Sequence, residues 1–137
     1  MTNLVEIARQ ALQSGQQKFE LADGSLHEAV REISSALSKA TDDKVAVQLD
    51  TVAEDRMGIC YRLLLTTGKE STPLDRYYFV PWSGFSIGHG NEQARAMQKV
   101  TKFENVEKVK THFNGLIENS DSDLMHIALY AMRSSRQ

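Results

Sequence analysis

The segment KVAVQLDTVAEDRMGICYRLLLTTGKESTPLDRYYFVPW, Lys44 to Trp82, decides the fold, because here the spacing of apolar residues drops to two. Val45, Val47, Leu49 and Thr51 fall on one face and Ala46, Gln48 and Asp50 on the other, the pattern of a half-buried strand. Ala53 to Gly58 reads as a charged hairpin loop. Ile59 to Thr67 is apolar on both faces apart from Arg62, as expected of a strand central in a sheet. Gly68 to Pro73 reads as a polar loop and Arg76 to Trp82 as a third strand. Such short connections favour antiparallel pairing, since parallel neighbours need a long crossover. Pro81 cannot donate to a ladder, which places the third strand at an edge or ends it there. Ser83 to Gly90 is expected to turn back as a short fourth strand around Phe85 and Ile87.

Helical spacing flanks this segment on both sides. Leu4, Ala8, Ala11, Leu12 and Phe19 share one side of a helix, with Ala22-Asp23-Gly24 as its expected stop. Ser25-Leu26-His27-Glu28 has the form of a capping box, and Leu26, Val30, Ile33, Leu37 and Ala40 continue as a second stripe that Thr41-Asp42-Asp43 breaks. Beyond the strands, Asn91 is a candidate N-cap for a short helix carrying Ala94, Met97 and Val100. Thr101 to Glu104 offers a capping box for a helix bearing Phe103, Val106, Val109, Phe113 and Leu116. Asp121 or Ser122 caps a last helix with Leu124, Ile127, Ala128, Ala131 and Met132 inward. The predicted class is therefore α+β. A single domain over residues 1–137 would hold an antiparallel β-meander of three to four strands in mid-chain, with two N-terminal and two to three C-terminal helices packed mainly on one face.

At 137 residues the chain is long enough to close one core without disulfide or structural metal. Its single cysteine, Cys60, sits in an apolar run and reads as a small buried hydrophobe. The N-terminus lacks a basic region followed by an apolar one, and no window approaches a membrane span, so a soluble, cytoplasmic protein is expected. Net charge is −2. Without a basic footprint, no nucleic-acid partner is expected.

Asp75 to Gly90, DRYYFVPWSGFSIGHG, holds five of the ten aromatic residues. The loop Gly84 to Gly90 ahead of Asn91 resembles a phosphate cradle, yet its G-x-x-x-G-x-G spacing fits neither the Walker pattern nor the dinucleotide fingerprint. Ser83, Ser86 and His89, with Asp75 or Glu92 to orient the imidazole, lack a nucleophile elbow. His27, His112 and His126 fall on separate helices with no metal-ligand spacing, and Asp121-x-Asp123 lacks the remainder of a calcium loop. Lys99, Lys102, Lys108, Lys110 and His112, with Glu104 and Glu107 interleaved, read as a solvated helix face ahead of a contact with an anionic partner. No catalytic residue, cofactor or metal is therefore expected.

Tyr and Trp give large contact areas at interfaces. The leading expectation is an inhibitor, immunity-type or adaptor module that binds a partner protein or itself, as a homodimer, through an aromatic edge strand and loop. Arg76, Tyr78, Trp82, Phe85 and His89 would make the contact. The alternative is a small enzyme or anionic-ligand domain with a pocket at Ser86, Gly88, His89, Gly90 and Asn91.

Overall fold

The computed structural model describes residues 3–55, 58–68, 70–79, 87–91 and 101–134. The order is α1 (Leu4–Ala40), β1 (Ala46–Asp55), β2 (Gly58–Thr67), β3 (Glu70–Phe79), β4 (Ile87–Asn91), β5 (Thr101–Phe103), α2 (Val106–Glu118) and α3 (Asp123–Ser134). The five strands form one antiparallel sheet in the order β1-β2-β3-β4-β5. The α+β class and the meander are as the sequence predicts.

The two expected N-terminal helices are one. Asn3 caps α1 by accepting from the Val5 and Glu6 amides, and the helix runs unbroken through Ala22-Asp23-Gly24. Buried Ala22 and Leu26 carry the apolar stripe across the expected stop, and Gly24 costs only about 1 kcal/mol against alanine. Asp23 is tied to the sheet, accepting from the Tyr61 hydroxyl at 2.6 Å. Ser25 caps nothing; its hydroxyl donates back to the Ala22 carbonyl at 2.8 Å. The expected break at Thr41 is real. The Thr41 hydroxyl bonds the Leu37 carbonyl and the Val45 amide, and Asp42 and Asp43 take positive φ of 52° and 64°.

The sheet has a fifth strand, and β3 is its third, not its edge. It starts before the expected position, because Thr67 pairs with Glu70 across a two-residue turn entered at Gly68, φ 42°. Pro73 lies inside β3, opposite Leu64 of β2, and the described pairing with β4 begins beyond it, at Asp75. The expected hairpin loop at Ala53 to Gly58 is shorter, with Asp55 paired to Gly58. Asn91 is the last residue of β4, and Thr101 to Phe103 is β5, so the capping box at Thr101 is not formed. Asn105 starts α2 instead, accepting from the Lys108 amide. Ser122 caps α3, as expected, by accepting from the Met125 amide. The expected helix over 92–100 lies outside the described residues.

Buried Leu26, Val30, Ile33 and Leu37 of α1, Tyr61, Leu63, Leu65, Tyr77, Phe79 and Ile87 of the sheet, Val109 and Phe113 of α2, and Leu124 and Ala128 of α3 form one core. Strand alternation turns Cys60, Arg62, Leu64, Arg76 and Tyr78 to the other face, where each is half-buried. No described helix is long and apolar enough to cross a membrane.

Candidate functional site

The expected contact residues part company in the fold. His89 shares the helix-covered face with its cross-strand neighbour Tyr77, whereas Arg76 and Tyr78 point to the opposite face, and Gly88 and Gly90 are buried. Trp82, Phe85 and Ser86 lie outside the described residues. Of the expected cradle, Gly88 to Asn91 belong to β4, and the helix expected after Asn91 lies outside the described residues. Cys60 is half-buried in β2.

What the structure gathers instead is a polar knot between β3, β4 and α2. A bulge builds its first member. Arg62 pairs with Arg76 but Leu64 with Pro73, so Leu74 and Asp75 both stand opposite Leu63. Leu74 packs against the core while Asp75 approaches His89, whose Nε2 lies 3.2 Å from Asp75 Oδ2. The pair is close but not aligned for a hydrogen bond, and this nitrogen, shut from solvent, finds no hydrogen-bond partner among the described residues. The second imidazole comes from α2. His112 lies with its ring centroid 4.4 Å from that of His89, and its Nε2 hydrogen-bonds the Tyr77 hydroxyl at 2.9 Å.

One donor atom each from Asp75, His89 and His112 lies within 4.8 Å of the others. Aromatic rings wall the group in, with Tyr77 stacked on His89 at 5.1 Å and Phe103 at 5.9 Å. Burial, then the neighbouring His89, lowers the His112 pKa to about 4 against the opposing pull of Asp75, so its ring is neutral at pH 7. Burial, reinforced by Asp75, raises the Tyr77 phenol well above its usual value and keeps it protonated. Shallow grooves of about 410 Å³ reach the knot from two directions, one ending on His112 beside Phe103, Lys108 and Thr111, the other on Asp75 beside Pro73 and Leu116.

The sequence offers half of this. Asp75 as an orienting partner for His89 is legible there, but His112 is on a distant helix and no local spacing ties it to the pair.

A second surface stands apart from the knot. Moving 18 residues along α1, five turns at 3.6 residues each, sets Leu4, Ala8, Ala11, Leu12, Gly15 and Phe19 in phase with Ala22, Leu26, Ala29, Val30, Ile33 and Leu37. The later six are buried against the sheet, whereas Leu4 and Leu12 are each 75% exposed. Val5 and Ile7, also exposed, widen the early stripe. Phe19 marks the border, half-buried with its ring edge-on to Phe79 at 5.6 Å.

Compared with family models, characterised protein sequences and solved structures, the chain matches none.

Proposed function

We propose that this chain is a soluble, cytoplasmic interaction module that binds a second copy of itself through the first half of α1. The observation that carries this reading is the stripe from Leu4 to Phe19, in phase with the core-forming face and covered by nothing among the described residues. An apolar surface this continuous on an amphipathic helix is an interaction site.

The occupant follows from the pattern. Glu6, Arg9, Lys18 and Glu20 leave residues 3–21 with no net charge, so nothing there selects a partner of either sign or sets like charge against like when two copies meet. The stripe also complements itself. In antiparallel pairing about a two-fold axis, Leu12 packs on Ala11 of the partner copy at the centre, Ala8 meets Gly15 on either side of it, and Leu4 meets Phe19 at the ends, so each large side chain faces a small one except at the ends. Five turns of helix bury less than the roughly 800 Å² per partner of a standard interface, so the dimer is a weak one whose population rises with concentration.

Sedimentation of the wild-type chain and of a Leu4→Asp/Leu12→Asp variant tests this. The wild type should shift from monomer to dimer with concentration while the variant stays monomeric and folded. A wild type that remains monomeric throughout would refute self-association.

A further inference from the structure

We infer that Asp75, His89 and His112 form a site for a divalent transition ion of the zinc type, with a coordination position left open to water or an anionic ligand. Two imidazoles and a carboxylate are the donors that such borderline ions take when three protein ligands leave the site open. At metal–ligand bonds of about 2.1 Å, neighbouring donors sit about 3.0 Å apart around an octahedral ion and about 3.4 Å around a tetrahedral one. The 3.2 Å from His89 Nε2 to Asp75 Oδ2 falls between these, in a pair not aligned for a hydrogen bond. Two facing donors with no hydrogen bond between them are available to one ion. The third lies within 4.8 Å of both, so the set closes as the donors draw in around the ion.

The surroundings fit the same reading. The Tyr77 hydroxyl holds one nitrogen of His112, the outer-sphere bond that fixes ring orientation in metal-binding histidines. Rings of Tyr77 and Phe103 exclude water around His89, and the groove at Lys108 and Thr111 supplies an access path. Two other histidines also lie near an aspartate, His27 with Asp23 at 3.4 Å and His126 with Asp121 at 3.7 Å. Both of those pairs are local in sequence and more exposed, and neither gathers a third donor among the described residues.

The test is titration of the metal-free wild-type chain with Co2+ and with Zn2+, following the ring signals of its four histidines by NMR. The expected result is saturation at one equivalent, with the His89 and His112 signals perturbed, those of His27 and His126 unchanged, and Co2+ displaced by Zn2+. Asp75→Asn should weaken binding more than tenfold. Tyr77→Phe, which removes a positioning bond, should weaken it about tenfold while keeping the stoichiometry. Absence of saturation, perturbation confined to His27 or His126, or unchanged affinity in Asp75→Asn overturns the site. If Asp75→Asn fails to fold, the wild-type histidine signals decide alone. None of these readouts depends on self-association.

Discussion

The first half of α1 and the knot at β3, β4 and α2 depart from the inside-out rule in opposite directions. One leaves Leu4 and Leu12 in solvent; the other encloses a carboxylate and two imidazoles among aromatic rings. Exposed apolar side chains gain free energy only when something covers them, and enclosed polar donors only when something pairs with them. Both regions are thus incomplete among the described residues, but what would complete them differs in kind. The helix asks for apolar area, which on the proposed reading another copy would supply. The knot asks for a Lewis acid, because its donors converge without bonding one another.

The contrast within α1 is the easiest to break. Leu26→Ala, at a fully buried position, should lower unfolding free energy by about 2–5 kcal/mol in urea denaturation at low protein concentration. Leu12→Ala, in the same phase of the same helix, should change it by less than about 0.5 kcal/mol. A large loss at Leu12 in the monomer would mean that the first half is covered within the chain.

Acid should act on the knot and spare the helix. His112 has a folded pKa of about 4 against about 6.5 unfolded, so the unfolded chain takes up the proton more readily. Its contribution is complete above pH of about 6.5 and is lost as pH falls toward 4, by up to about 3 kcal/mol for the metal-free chain. His112→Gln should flatten that part of the pH–stability profile.

The smallest effects come from the helix glycines. Gly15 and Gly24 both have open space where a Cβ would stand. Either change to alanine should stabilise the monomer by about 0.5–1 kcal/mol. Only Gly15→Ala should also weaken self-association, because it alone lies on the apolar stripe, and sedimentation of the two variants side by side checks the difference.

The sequence shows the strands well where the period of two is strong. Val45, Val47, Leu63, Leu65, Tyr77 and Phe79 all reach the core. It misleads where local signals compete with tertiary packing. Ala22-Asp23-Gly24 and Ser25 look like a stop and a cap, but burial of Ala22 and Leu26 outweighs one glycine's cost. Pro73 looks like a loop residue because nothing local shows that it pairs with Leu64 of β2. Thr101 looks like a cap, yet it lies in a strand whose partner is remote in sequence. The knot hides for a related reason. Asp75 depends on a bulge for its direction, and His112 arrives from a helix that only the folded sheet brings near.

Amide hydrogen exchange along α1 at low and high protein concentration tests self-association most directly. A helical segment of about 18 residues without tertiary packing is marginal in water, so its amides exchange quickly in the monomer. Exchange at Ala8 to Leu12 should slow as concentration rises, while Val30 to Leu37, packed on the sheet, should be protected equally at both. Rates at Ala8 to Leu12 that do not change with concentration would contradict pairing through this half of the helix.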